Sequence, residues 1–165
     1  MAYRRIEVDP LTPAIGAEIR GVDLAQPLDD ETFAEVHAAW MKHLVIFFRE
    51  QDLTLDQHKA FGRRFGDLHI HPAAPGPDGH PEIFMVHTDK NSKFSEGNGW
   101  HSDVSCDEEP PMGSILRLHT LPVTGGDTLF CNAYLVYENL SDSMKSHLEG
   151  LIAIHEGEQI FRGRY

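Results

Sequence analysis

Cysteine is scarce in this 165-residue chain: Cys106 and Cys131 are the only two. Two cysteines do not make a disulfide framework. That excludes the small disulfide-held secreted folds and makes a reducing, cytoplasmic setting the expectation. Long apolar runs are missing as well. The densest runs only from Leu44 to Phe48, against about 20 residues for a membrane-spanning helix. The opening residues, Met1 to Pro10, hold no apolar stretch of the signal-peptide kind. No membrane partner is expected. Positive charge is also in short supply. Lys and Arg number 14 against 26 Asp and Glu, a formal net charge of −12. A nucleic-acid partner, which needs a basic surface, is not expected either. Internal repeats and low-complexity segments are absent, which excludes a repeat array.

What is present is an ordinary globular composition with one excess. Hydrophobic residues make up 41% of the chain, enough for a real core in one domain spanning residues 1–165. Histidine is the excess, with 11 residues. That number calls for a search for metal-ligand spacing, although most histidines in any protein are solvated or packed.

The chain alternates short strand patterns with a few helices. Residues 6–24 read as strands and turns. Asp29 to His43 reads as a helix with Phe33, Val36, Trp40, Met41 and Leu44 on one face and Asp29 or Asp30 as its cap. Leu44 to Phe48 lacks alternation and reads as a strand buried on both faces. Thr54 to Gln57 has capping-box spacing and opens a second helix carrying Phe61 and Phe65, with Gly66 as its stop. His71 to Pro81 is rich in proline and glycine and reads as a loop. Strand patterns follow at Glu82–Val86, Trp100–Cys106, Ser114–Leu121, Asp127–Cys131 and Leu151–His155, with a turn at Pro122–Gly126. Tyr134–Leu140 and Asp142–Leu148 read as helices. The fold class is therefore mainly β with flanking helices.

The sharpest chemical signal is Trp100-His101-Ser102-Asp103-Val104. On a strand, His101 and Asp103 project to one side, an imidazole and a carboxylate within reach of one ion. Two histidines and a carboxylate around open positions suit Fe(II) and oxygen chemistry. A lone His-x-Asp triplet also arises by chance in a histidine-rich chain. His69 and His71 alternate onto one side of their segment, where solvation alone would explain them. Thr128 is β-branched on a strand pattern and needs no further reason there. Asp107-Glu108-Glu109 reads as a solvated turn, and Cys106 as a small buried residue.

These motifs come in a particular order. Phe47-Phe48-Arg49-Glu50-Gln51 and Phe65-Gly66-Asp67-Leu68-His69-Ile70-His71-Pro72 precede the triplet. Glu109-Pro110-Pro111-Met112-Gly113-Ser114 and Pro122-Val123-Thr124-Gly125-Gly126-Asp127-Thr128-Leu129-Phe130 follow it. In order and spacing the chain resembles, from about Leu11 to Phe161, the taurine dioxygenase family of Fe(II)- and 2-oxoglutarate-dependent oxygenases. The resemblance implies a double-stranded β-helix, a distorted jelly roll, incomplete at its C-terminal end. It implies His101 and Asp103 as iron ligands and Thr128 as the hydroxyl that holds a 2-oxoglutarate carboxylate. It implies His71 as a contact to the acidic group of the primary substrate, and Phe161 as an aromatic near the pocket. Members commonly form homo-oligomers, so one is expected here.

Departures from the pattern bear on substrate and completeness. Ala74 stands where taurine-specific members carry a tyrosine, and Gly97, beside Asn98, where they carry an asparagine. The expectation is a small anionic organic substrate other than taurine (a sulfonate, sulfate ester or carboxylate) together with O2. The family's distal histidine and its arginines lie beyond the point that Tyr165 reaches. His119, His147 and His155 do not fall in that distal motif, and Arg162 and Arg164 match no family arginine. Two readings therefore stand: a dioxygenase releasing succinate and CO2, or a catalytically silent piece acting as a binding or assembly module.

Overall fold

The computed structural model describes residues 3–71, 76–92, 97 and 99–157. The chain divides into two compact units, one of Met1–Arg64 with His119–Ile152 and one of Phe65–Leu118 with Ala153–Tyr165. Regular structure among the described residues lies entirely in the first unit. In chain order it comprises β1 (Glu7–Pro10), β2 (Ala17–Arg20), α1 (Asp30–His43), β3 (Ile46–Phe48), α2 (Leu55–Gly62), α3 (Ala133–Glu138) and α4 (Asp142–Leu148).

The three strands form one sheet in the order β1-β2-β3. β1 and β2 are antiparallel, with Glu7 opposite Arg20 and Pro10 opposite Ala17. Pro10 is tolerated because β1 is an edge strand, where a missing N–H breaks no ladder. The connection between them is folded by Thr12, whose hydroxyl accepts from the Ala14 and Ile15 amides at 3.2 and 3.0 Å. β2 and β3 are parallel, Ala17 opposite Ile46 and Ile19 opposite Phe48. A parallel pair needs a long crossover, and α1 supplies it.

α1 starts where its sequence provides a partner for orphaned amides. Asp29 Oδ1 accepts from the Thr32 N–H at 2.7 Å, while Asp30 and Glu31 meet the positive end of the helix dipole and Lys42 and His43 the negative end. Its inward stripe is Val36 and Ala39, both fully buried. Phe33, Trp40 and Leu44 are half-buried, but Met41, expected on the core face, is 56% exposed. Ala39 takes the central position, because a small residue lets the helix approach the sheet closely. Leu44 ends the helix at φ 67°, and its N–H still donates to the Trp40 carbonyl at 2.7 Å.

α2 opens on a complete capping box. The Gln57 N–H donates to Thr54 Oγ1 at 3.2 Å and the Thr54 N–H to Gln57 Oε1 at 2.8 Å. The helix closes at Gly62, earlier than the pattern through Phe65 implied. Phe61 is buried and meets Phe48 edge-on at 5.8 Å between centroids. The core is thus Ile6, Ala17, Ile19, Leu24, Val36, Ala39, Leu53 and Phe61. Arg64 closes the unit from outside, donating to the Leu28 carbonyl at 2.6 Å and to Asp30 at 2.8 Å while its guanidinium lies over Phe33.

Six strand expectations are corrected. Leu44–Phe48 is a strand only over β3, and its side chains are half-buried because β3 is an edge with one neighbour. The segments Glu82–Val86, Ser114–Leu121, Asp127–Cys131 and Leu151–His155 carry no strand pairing among the described residues. Most of their apolar side chains are exposed, Leu129 at 71% and Ile152 at 90%. Trp100–Cys106 is not a strand either, since residues 103–106 form a turn. A strand-prone run becomes a strand only where another segment takes its backbone hydrogen bonds, and no described segment does so here. The full jelly roll is accordingly not formed by the described residues. The helices Ala133–Glu138 and Asp142–Leu148 are present, capped by Asn132 and Ser141.

Replacement of Phe61 by alanine removes the largest side chain of this core. We expect a loss of about 3 kcal/mol or more, read as a lower urea midpoint. Stability should also fall in acid. Hydrogen bonds from the Arg5 amide and its neighbours hold Glu35 below its ordinary 4.5, Arg20 and Arg49 do the same for Glu18, and the Thr32 amide lowers Asp29 from 3.8. A depressed carboxylate stabilises the fold above its unfolded pKa and ceases to do so as pH drops through the folded value. Melting temperature should hold down to about pH 5 and drop below pH 4. Glu35→Gln should flatten that drop, and an unchanged profile would contradict the assignment.

Candidate metal and substrate site

The second unit contains His101 and Asp103. The structure brings them together, on a segment that is not a strand and that enters a turn at Asp103. Val104, next to Asp103, takes φ 47°, a left-handed conformation that a β-branched residue rarely adopts. The Asp107 N–H closes the turn on the Val104 carbonyl at 3.1 Å. His101 Nε2 lies 3.2 Å from Asp103 Oδ1. His101 Nδ1 lies 2.8 Å from the Gly99 carbonyl, and Ser114 donates its hydroxyl to Asp103 Oδ2 at 2.6 Å. Both side chains are about half exposed, at 51% and 52%.

These contacts determine what the pair can do. A carbonyl and a carboxylate both only accept, so both ring nitrogens of His101 face acceptors; in the tautomer that donates from Nδ1 to Gly99, Nε2 presents a lone pair. Asp103 Oδ1 presents another. Two lone pairs 3.2 Å apart repel unless a proton or a cation lies between them. The spacing also suits neighbouring donors on one divalent ion, about 3 Å apart for bonds of about 2.1 Å. The donor set thus fits an iron-type ion. Ser114 and Gly99 are the outer partners that orient such ligands. Among the described residues no group of three or more His, Cys, Asp or Glu stands ready to hold a metal.

The same unit holds His71. Its ring stacks on Phe84 at 4.7 Å and 20°, and meets His69 nearly perpendicularly at 6.5 Å. His69 Nε2 in turn donates to Asp107 Oδ2 at 2.9 Å. Asp107 is therefore not the solvated turn residue that its acidic neighbours suggested. Its side chain is only 32% exposed. Sequence reasoning also missed Ser114 and Phe84, since neither residue type announces a role. His155, outside any ligand motif, pairs through Nδ1 with the Ser105 hydroxyl at 2.9 Å.

Thr128 belongs to the first unit and is exposed there. It follows Gly125 and Gly126, both at positive φ (74° and 76°). A side chain at Gly126 would meet the Pro122 ring at 3.0 Å, so this turn requires glycine. Phe161 lies outside the described residues, as do Ala74, Asn98, Arg162 and Arg164. Gly97 is described, at φ 76°, and a Cβ there would touch His101 Cε1 at 3.7 Å.

The chain belongs to the taurine catabolism dioxygenase TauD, TfdA family, whose model matches residues 7–164. It is 37% identical over 161 residues to the alkylsulfatase of Acinetobacter baylyi, covering 97% of this chain and 50% of that protein. It is 36% identical over 154 residues to the alpha-ketoglutarate-dependent sulfate ester dioxygenase of Pseudomonas putida, covering 93% and 50%. A crystal structure of a taurine dioxygenase from Burkholderia xenovorans superimposes with a TM-score of 0.77 at 42% identity, over 89% of this chain and 52% of that one. The chain spans about half the length of the curated relatives it matches. No helix among the described residues is long and apolar enough to cross a membrane.

The Gly99 contact has a direct spectroscopic consequence. In 15N-histidine-labelled Asp103→Ala protein free of metal, where the Gly99 carbonyl is the acceptor that remains of the two, His101 should show the Nδ1-protonated tautomer in alkaline solution. A free imidazole prefers Nε2–H, so that form at His101 would refute the hydrogen bond.

Proposed function

We propose that the protein is an Fe(II)- and 2-oxoglutarate-dependent dioxygenase that hydroxylates a C–H of a small sulfate ester, sulfonate or carboxylate. The observation that carries this reading is the His101–Asp103 donor pair, 3.2 Å apart, in a chain of this family. Residues 1–165 are read as the N-terminal portion of one oxygenase domain. Fe(II), when bound with 2-oxoglutarate, supplies O2 activation and C–H oxidation, with succinate and CO2 as co-products.

The chain's own residues bind and orient. His101 and Asp103 hold the metal, His101 in the tautomer set by Gly99 and Asp103 with its second oxygen tied to Ser114. Thr128 offers its hydroxyl to a carboxylate of 2-oxoglutarate. His71 donates to the acidic head of the substrate, and Phe161 supplies an aromatic wall. A carbon hydroxylated beside a sulfate oxygen or a sulfonate sulfur falls apart to an aldehyde with release of sulfate or sulfite. Sulfate esters are favoured, because the alkylsulfatase and the sulfate ester dioxygenase are both relatives and Ala74 replaces the tyrosine of taurine-specific members. A cytoplasmic location accords with two free cysteines, Cys106 and Cys131, and a homo-oligomer with the family's habit.

One observation favours the alternative of a silent binding module: the described residues gather two donors, not three. Turnover separates the two readings. With Fe(II), 2-oxoglutarate, O2 and hexyl sulfate, the dioxygenase yields succinate and sulfate in equal amounts. Under anaerobic conditions Fe(II) and 2-oxoglutarate give a weak visible charge-transfer band. Asp103→Ala should abolish both the band and stoichiometric iron binding. Succinate absent with every sulfate ester, sulfonate and carboxylate tried would leave the silent module, and unchanged iron content in Asp103→Ala would remove that residue from the site.

A further inference from the structure

We propose that Asp107 is a positioning residue for recognition of the substrate's anionic head, acting through His69 on His71. This rests on the reading of His71 as a substrate contact given above. Three contacts form the chain of action. Asp107 Oδ2 accepts from His69 Nε2 at 2.9 Å. The His69 ring meets the His71 ring at 86°, with centroids 6.5 Å apart. Phe84 stacks on His71 at 4.7 Å and 20°.

Each contact restricts a different freedom. A carboxylate only accepts, so the Asp107 bond defines Nε2 as a protonated nitrogen of His69 and limits rotation of that ring. Perpendicular and stacked aromatic contacts have preferred geometries, so a fixed His69 and a stacked Phe84 limit how His71 can tilt. An imidazole that donates to a sulfate or carboxylate gains from being held, since its ordering is not then charged against binding. The pair is suited to that work by its burial: His69 and Asp107 expose 31% and 32% of their side chains. Solvent competes with the bond less than it would on an open surface. The Asp107 side chain makes no described contact with His101 or Asp103, and the backbone N–H with which Asp107 closes the turn after Asp103 is kept in its variants, so loss of the carboxylate should fall on the substrate.

The test is a split of kinetic constants in the intact protein with Fe(II), 2-oxoglutarate and hexyl sulfate. Asp107→Ala should raise KM for hexyl sulfate about tenfold, the size expected for a lost hydrogen bond to a charged group. It should leave kcat and the KM for 2-oxoglutarate within about twofold. Asp107→Asn keeps an accepting oxygen and should recover most of the affinity. His69→Ala removes the same bond from its other end and should reproduce the Asp107→Ala split, which keeps the test open should Asp107→Ala fail to fold. The double variant should be no worse than either single one. His71→Ala is the control for the underlying reading. If His71→Ala raises KM and the Asp107 and His69 variants do not, the positioning role is overturned while the reading of His71 stands. Equal losses in kcat and in both KM values would make Asp107 a structural residue and overturn the role too. If His71→Ala leaves KM unchanged, the substrate contact falls and the positioning role with it.

Discussion

A backbone amide or carbonyl withdrawn from water must find a partner, and β2 is the segment where that requirement is met on both sides. β1 takes one edge of it antiparallel and β3 the other edge parallel. With the backbone satisfied, Ala17 and Ile19 can be almost wholly buried. α1 follows from the same requirement, because a parallel neighbour is reachable only through a crossover. Glu18, between the two buried residues, faces the other way and binds Arg20 and Arg49 at 3.0 and 3.2 Å. One strand thereby organises an apolar side against helices and a charged side against water.

The helices were legible because their signals are local. Asp29 and the Thr54–Gln57 pair act on amides three residues away, so the sequence window contains the whole interaction. The later strand patterns misled for the opposite reason. Alternation in Ser114–Leu121 describes what a strand would do with two faces, while the strand itself depends on a partner elsewhere. Met41 and Ala39 illustrate a smaller miss. Hydrophobicity favours methionine for a core position, but a helix pressed against a sheet has room for a methyl group there.

At the candidate site, spacing alone predicted that His101 and Asp103 would be neighbours. They are, yet no strand carries them: the backbone turns from Asp103 onward, with Val104 in a conformation that no periodicity announces. Asp107 was hidden by its company. Three consecutive acidic residues read as solvent-facing, and only the position of His69, 38 residues earlier, distinguishes the first of them. The histidine excess proved informative in an uneven way. His69, His71, His101 and His155 all sit in the second unit with definite partners.

The bond from Ser114 to Asp103 ties together two residues eleven positions apart, and the segment it closes contains Pro110 and Pro111. Prolines restrict the open chain before the loop forms, so closing it loses less entropy than closing a flexible segment of equal length. The carboxylate is therefore set in place by the protein's own folding and not by whatever it later holds. On the proposed reading, a site assembled in that manner would exchange a bound ion without refolding around it, and its occupancy would follow the supply of ions in the surroundings.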